Sequence, residues 1–171
     1  MKNKNFIYTI SMFFLLLDQL IKLIVTKNME LFQEIKIIKN FFSIYYIKNK
    51  GAAFSIMGNQ TILLILISII CLLFLKNYIK KLKQPSKLTI VSLGIMIGGI
   101  LGNLFDRLFY KEVIDYLSFN FFGYSFPVFN LADIGITVGA ALLIITILLD
   151  EKKSKKKVVK NNEWTTKRIY N

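Results

Sequence analysis

The sequence contains no histidine and only one cysteine among its 171 residues. Without histidine, a Ser-His-Asp triad, a Cys-His pair and a His-ligated zinc site are all excluded. The lone Cys71 lies within an apolar run and cannot form an internal disulfide. Acid–base chemistry in this chain can therefore come only from Asp, Glu, Lys or Tyr.

Acidic residues are also scarce, with 10 Asp and Glu against 23 Lys and Arg, for a formal net charge of +13. The chain is 54% hydrophobic, whereas ordinary soluble domains are nearer ~45–50%. The lysines gather in short blocks between or after the apolar runs, a distribution typical of a membrane protein with basic cytoplasmic flanks. No recognition motif accompanies the positive charge, so nucleic-acid binding is not expected.

Four apolar runs cover residues 6–25, 61–75, 88–109 and 130–149. With their flanks, these runs reach the ~20 residues that a helix needs to cross a bilayer. Between the first two, residues 27–58 mix β-branched and aromatic side chains, which predicts one or two short strands outside the membrane. We therefore expect an all-α membrane protein with four transmembrane helices and a small extramembrane β element between helices 1 and 2. Residues 1–150 would form one domain, and the polybasic tail, 151–171, is expected to be disordered.

The third run carries glycine at every fourth position, at Gly94, Gly98 and Gly102. This small-xxx-small spacing lets a neighbouring helix approach the backbone closely. The sequence therefore predicts that helix 3 packs tightly against other helices.

Several polar residues interrupt the predicted spans, where a buried charge costs ~2.5–3.5 kcal/mol. Asp18 and Lys22 are spaced i,i+4 and can pair on one helix face, either as a structural ion pair or as part of a site. Near the end of helix 3, Asn103, Asp106 and Arg107 also share one face.

The fourth helix has its own polar start, because Asn130 can cap it and Asp133 would lie in its first turn. Asp115 lies in the preceding segment, which we interpret as a loop over residues 110–129. The two acids thus bracket an aromatic stretch that contains no other charge.

The distribution of basic residues predicts the orientation. The N-terminus, the 76–87 loop and the tail are placed in the cytoplasm, and the 27–58 and 110–129 connections lie outside. All the charged residues of the spans then fall near the outer surface, which indicates a polar site at the outer leaflet.

Two carboxylates at close range cannot both ionise easily, so one retains a proton while the other can act as a general base. This is the chemistry of an aspartic protease. A small transporter or proton relay built on intramembrane Asp and Lys residues is an alternative, as is a non-catalytic scaffold that packs through helix 3.

Five sequence blocks occur in an order that resembles the lipoprotein signal peptidase (signal peptidase II) family. They are DQLIK (18–22), NKGAAFS (49–55), GGILGNLFDR (98–107), VIDY (113–116) and FPVFNLAD (126–133). The resemblance implies a membrane aspartic endopeptidase with Asp115 and Asp133 as its catalytic dyad and with no metal or cofactor.

The resemblance also implies the substrate, a bacterial prolipoprotein that carries diacylglycerol on its lipobox cysteine and is cleaved just before that cysteine. It further implies location in the bacterial cytoplasmic membrane, contact with membrane lipids and inhibition by a cyclic peptide antibiotic.

Further family positions match residue by residue, with Tyr116 in place of a common Phe. One group is expected to bind substrate or support the dyad: Asn49, Gly51, Asn103, Arg107, Asn130 and Ala132. A second group is expected to be structural or supporting: Asp18, Lys22 and Asp106.

Overall fold

In the computed structural model, which describes residues 2–51 and 60–169, long helices alternate with pairs of short antiparallel strands. Side chains are described for residues 4–51 and 60–150. In chain order the elements are α1 (Lys2–Asn28), β1 (Glu34–Ile38), β2 (Phe42–Asn49), α2 (Thr61–Lys81), α3 (Lys87–Tyr110), β3 (Val113–Phe121), β4 (Tyr124–Ser125) and α4 (Leu131–Ile169).

Each of these helices contains a segment long and apolar enough to cross a membrane, which confirms the predicted spans. The segments are Lys4–Asn28, Thr61–Lys81, Lys87–Tyr110 and Leu131–Asp150. Large apolar side chains on their outer faces are exposed, such as Phe13 at 67%, Ile62 at 75% and Phe74 at 69%. Exposure of this kind suits a lipid environment, because lipid tails are as apolar as these side chains.

Helix α3 lies at the centre and packs against α1, α2 and α4. Its glycines let the neighbouring backbones come close. A Cβ on Gly98 would lie 2.8 Å from the Ser11 carbonyl oxygen of α1, and one on Gly99 would collide with the Ala132 carbonyl oxygen of α4. The predicted tight packing of helix 3 is therefore confirmed, against both α1 and α4.

The strands form one antiparallel sheet in the order β1-β2-β3-β4. The prediction of strands between helices 1 and 2 is confirmed by β1 and β2. The interpretation of residues 110–129 as a loop was wrong, since β3 fills nine of those positions and pairs with β2. Valine, isoleucine, tyrosine and phenylalanine favour strands, and a neighbouring strand was available to satisfy their backbone groups.

The chain after β4 folds back along β3 before α4 begins. Phe129 N–H donates to the Leu117 carbonyl over 3.1 Å, and Phe129 O accepts from the N–H groups of Tyr116 and Leu117. This pairing places Asn130 and the start of α4 directly beside the first half of β3. Asp115 and Asp133, 18 positions apart in sequence, are thereby brought to one place.

Two further predictions concern the C-terminal tail and the NKGAAFS block. Disorder was expected from residue 151 onward, but α4 continues as a helix through Ile169. Lysine and glutamate are good helix formers, and extending an existing helix needs no new nucleus. Of the NKGAAFS block, residues 52–55 lie outside the described residues, and Gly51 sits in a bend.

We expect Gly98→Ala to lower the stability of the helix bundle by about 1–3 kcal/mol, because both close contacts of the new methyl group belong to α1. The intrinsic helix preference of alanine over glycine, about 1 kcal/mol, acts in the opposite direction. Thermal unfolding of the purified protein in detergent measures the net effect. The matched control is Val91→Ala, at a position of α3 that is 41% exposed. A higher unfolding temperature for Gly98→Ala would contradict the close-packing account.

Candidate active site

Asp115 is a buried carboxylate in β3 that accepts two amide hydrogen bonds. The Asn49 Nδ2 donates to its Oδ2 over 2.9 Å and the Asn130 Nδ2 to its Oδ1 over 2.7 Å. Asn49 is opposite Val113 in the β2–β3 register, so it is a diagonal neighbour of Asp115 on the same face of the sheet. The sheet thus positions both the acid and one of its donors.

Asp133 sits in the first turn of α4 and forms a reciprocal cap with Asn130. The Asn130 Oδ1 accepts from the Asp133 N–H over 3.0 Å, and the Asn130 N–H donates to the Asp133 Oδ2 over 3.2 Å. This is the geometry of a capping box, built here from asparagine and aspartate. The predicted cap is confirmed, and Asn130 contacts both acids at once.

The third amide of the site belongs to Asn103, on α3. Its Nδ2 donates to the Asp133 Oδ1 over 2.7 Å, while its Oδ1 accepts from the Lys22 ammonium over 3.0 Å and from the Asn130 amide over 3.1 Å. Because an ammonium can only donate, Lys22 fixes the orientation of the Asn103 amide. The amino group of Asn103 must therefore face Asp133.

Burial raises the pKa of Asp115 to about 7, and the nearby Asp133 carboxylate adds to the shift. The amides of Asn49 and Asn130 and the Lys22 charge oppose it only partly. A carboxyl group with a pKa near neutrality can hold a proton at physiological pH, which an ordinary aspartate cannot do.

Arg107 closes another wall of the site. Its Nη2 donates to the Gly51 carbonyl over 3.2 Å and its Nη1 reaches the Asn103 carbonyl over 3.4 Å. The Gly51 N–H in turn donates to the Asn49 Oδ1 over 2.8 Å. That bond fixes the Asn49 amide, so its amino group points at Asp115.

A buried ion cluster lies behind the two acids. The Lys22 Nζ is 2.8 Å from the Asp18 Oδ2 and 2.8 Å from the Asp106 Oδ2, and none of the three side chains is more than 1% exposed. The predicted pairing of Asp18 with Lys22 is confirmed. With Asn103, the three N–H groups of the ammonium are all engaged, so Lys22 has no donor left for a substrate.

The N-terminal N–H groups of α4 are satisfied within the protein. Leu131 N–H donates to the Tyr116 hydroxyl, Ala132 N–H to the Asp18 Oδ1 and Asp133 N–H to Asn130. Burial raises the pKa of Tyr116, so its hydroxyl remains neutral. A substrate carbonyl therefore finds no unpaired N–H at this helix end, and its polarisation must come from side chains.

Both acids line one cavity of about 410 Å³ whose walls are mostly apolar. Its lining combines the polar residues of the site with the FPVF segment (126–129) and the first turns of α4. The lining residues are Asn49, Gly51, Asn103, Arg107, Val113, Asp115, Phe126, Pro127, Val128, Phe129, Asp133, Ile134, Ile136, Thr137 and Val138. Such a mixture is typical of a site that binds an apolar ligand and orients it with a few polar groups.

The site residues named from the sequence separate into three groups by position. Asn49, Gly51, Asn103 and Arg107 line the cavity with the two acids. Asn130 and Ala132 lie fully buried behind it, and Asp18, Lys22 and Asp106 form the ion cluster.

Sequence reasoning gave no role to Gln19 and missed the cap contributed by Tyr116. The Gln19 Nε2 donates to the Asp106 Oδ1 over 2.9 Å and also reaches the Asp18 Oδ2 over 3.3 Å. A glutamine inside an apolar span, next to an aspartate, was a signal that could have identified it. The cap from Tyr116 had no sequence signal, because it depends on how β3 meets α4.

The fold and the site together define a multi-pass membrane protein with two carboxylates, Asp115 buried and Asp133 partly buried, at one end of its helix bundle. Its chain is similar to known proteins over most of its length. A family model described as signal peptidase (SPase) II matches residues 10–149. The lipoprotein signal peptidase of Halothermothrix orenii is 42% identical over 137 residues, which cover 80% of this chain and 91% of that protein.

Two solved structures of bacterial membrane enzymes, determined by the in meso method at 2.3 and 1.9 Å resolution, are also similar. The first has a TM-score of 0.78 with 34% identity and covers 85% of this chain and 88% of its own. The second has a TM-score of 0.73 with 34% identity and covers 82% and 90%. The chain belongs to the signal peptidase II family, and it is a membrane protease of the aspartic type.

We expect Asn130→Ala to destabilise the protein by about 0.5–2 kcal/mol, because the helix cap is lost. The Asp115 Oδ1 also loses its 2.7 Å donor. The measurement is thermal unfolding in detergent. Gln60→Ala is the matched control, since Gln60 occupies the N-cap position of α2 without a side-chain cap bond. Equal unfolding temperatures for Asn130→Ala and Gln60→Ala would contradict the capping role.

Proposed function

We propose that the protein removes the signal peptide from diacylglyceryl-modified prolipoproteins, with Asp115 and Asp133 as the catalytic dyad. The observation that carries the proposal is that these two carboxylates share one apolar cavity and receive hydrogen bonds from uncharged amides and a backbone N–H. The family membership supports the substrate class, since the Halothermothrix orenii relative is named a lipoprotein signal peptidase.

In this mechanism Asp133 is the general base. It lies at the N-terminus of α4, where the helix dipole favours a negative charge, and it accepts bonds from the Asn130 N–H and the Asn103 amide. Its carboxylate takes a proton from water while the water oxygen attacks the scissile carbonyl carbon. Neither donor titrates, so both remain in place as the charge on Asp133 changes.

Asp115 is the protonated partner, which its pKa of about 7 permits near neutral pH. Its proton goes to the carbonyl oxygen as the tetrahedral intermediate forms. The proton held by Asp133 then passes to the nitrogen of the leaving cysteine residue when the C–N bond breaks, and Asp115 takes back a hydroxyl proton as the carbonyl group re-forms. Asp115 is the suitable polarising group because the N–H groups of α4 are already paired.

The remaining polar lining residues would hold the substrate backbone. Arg107 lies on the cavity wall and can donate to a peptide carbonyl without leaving Gly51. Asn49 and Asn103 keep the two acids oriented, and Asn130 links them. Ala132 supports the site by its size and its backbone, since Gly102 packs against its Cβ.

The apolar part of the cavity continues along α4 past Ile134, Thr137 and Val138. Ile134 and Val138 are 37% and 44% exposed, so this side opens towards the membrane. A diacylglyceryl group and the apolar core of a signal peptide both fit such a lining, because they can stay in contact with lipid while the peptide bond reaches the acids. We also expect a cyclic peptide antibiotic to inhibit by occupying this cavity.

The proposed location is the bacterial cytoplasmic membrane, with both termini in the cytoplasm and the site near the outer leaflet. The basic segment 76–87, which comprises the end of α2, the connection and the start of α3, supports this orientation, since it lies at the end of the bundle opposite the sheet. Its basic residues are Lys76, Lys80, Lys81, Lys83 and Lys87.

Asp115→Asn and Asp133→Asn are each expected to reduce precursor cleavage by about 10²–10⁴-fold, because an amide can neither take nor give the proton. The assay is cleavage of a diacylglyceryl-modified precursor by purified protein in nanodiscs. Glu30→Gln is the control, because Glu30 is an exposed acid outside the cavity. Retained cleavage in either aspartate variant, with the protein folded, would refute the assigned dyad.

The rate should also depend on pH through Asp115. Below about pH 7 this residue carries the proton that the reaction needs, and above it kcat/KM should fall about tenfold per pH unit. The measurement is kcat/KM between about pH 5 and 9, within the range where the protein stays folded. A profile that stays flat or rises above pH 7 would contradict Asp115 as the proton donor.

A further inference from the structure

The two carboxylates of the buried ion cluster bind the backbone immediately before each acid of the dyad. The Asp106 Oδ2 accepts from the Ile114 N–H over 3.2 Å, and Ile114 directly precedes Asp115. The Asp18 Oδ1 accepts from the Ala132 N–H over 2.9 Å, and Ala132 directly precedes Asp133. An ion cluster that only joined α1 to α3 would have no need of these two bonds.

Lys22 links Asp18 and Asp106, the two carboxylates that accept from these N–H groups. Its ammonium is 2.8 Å from a carboxylate oxygen of each acid in the cluster, and its third bond, of 3.0 Å, orients the Asn103 amide that donates to Asp133. Gln19 bridges the same two carboxylates from the other side. One cluster, with Asp18, Lys22 and Asp106 fully buried, therefore contacts both chain segments that carry the dyad.

We propose that Asp18, Lys22 and Asp106 are positioning residues that set the relative placement of Asp115 and Asp133. The inference rests on the proposed function, because it assumes that this pair performs the chemistry. The cluster itself touches no substrate, since none of its side chains lines the cavity. Its effect on the reaction passes through the N–H groups of Ile114 and Ala132 and through the amide of Asn103.

Asp106 offers the cleaner test of the two acids. A single oxygen, Oδ2, accepts from both Lys22 and the Ile114 N–H, so the one oxygen of an asparagine can make both contacts. The contacts of Asp18 with Lys22 and with the Ala132 N–H fall on different oxygens, so an asparagine there would lose one of them. Asp106→Asn removes the charge and the Gln19 bond to Oδ1 but keeps the Oδ2 acceptor, whereas Asp106→Leu removes all three at similar size.

In nanodisc cleavage assays we expect Asp106→Leu to lower kcat about 10²-fold, the order of loss caused by a 1 Å misplacement of reacting groups. KM should change little, because the cavity wall is intact. Asp106→Asn should recover most of kcat. Equal kcat values for Asn and Leu would overturn the proposal, since the two variants differ at the Ile114 acceptor and share the loss of charge.

Asp106→Glu keeps the charge but moves the carboxylate by one methylene group. If Asp106 acts by positioning Ile114, Asp106→Glu should have a lower kcat than Asp106→Asn. If only the charge of Asp106 matters, Asp106→Glu should have the higher kcat, and that result would overturn the proposal. This comparison decides the question even if Asp106→Leu does not fold.

The control for lost stability is Leu93→Ala, in the core of the same helix and fully buried. It should lower the unfolding temperature while kcat is preserved. A parallel fall in its kcat would assign the effects to stability and overturn the proposal. Failure of the dyad itself is distinguishable, because Asp115→Asn and Asp133→Asn would then retain activity whatever the Asp106 variants do.

Discussion

The buried ammonium of Lys22 is the interaction on which the rest of this structure depends. Moving such a group out of water costs several kcal/mol, and only close, complete partners offset the cost. Here three acceptors, Asp18, Asp106 and Asn103, take up all three N–H groups. Removal of one partner from a buried pair typically costs about 3–5 kcal/mol, so the arrangement strongly resists partial change. The glycines of α3 make it possible, because a side chain at Gly102 would collide with Asp18.

Uncharged amide side chains contact Asp115 and Asp133 directly, whereas the charged residues of the ion cluster do not. Asn49, Asn103 and Asn130 touch the two acids with amino groups, and each has its carbonyl oxygen engaged elsewhere. Amides orient a carboxylate without compensating its charge fully. The charges of Lys22, Asp18 and Asp106 lie outside the cavity lining. In the proposed mechanism, the chemistry and the positioning are thus assigned to different side chains.

Prediction from sequence was most successful where a pattern depends on neighbours along the chain. The four spans, the cap at Asn130, the pairing of Asp18 with Lys22 and the close packing of α3 all follow from local spacing. The β3 strand was missed because residues 110–129 were interpreted through their acids and aromatics, without the β2 partner that satisfies their backbone. The helical extension of α4 was missed because charge density was taken to indicate disorder.

The sequence by itself limited the acid–base groups, since it has no histidine and few acids, and its distribution of charge predicted that the acids lie near one membrane surface. The family resemblance then singled out Asp115 and Asp133 as the proposed pair. Only the tertiary structure decided how they are held. Hydrogen bonds such as Asp106 to Ile114 N–H and Asp18 to Ala132 N–H join positions 8 and 114 residues apart. No local pattern encodes such bonds, because they form only after the helices have packed and the sheet has closed beside them.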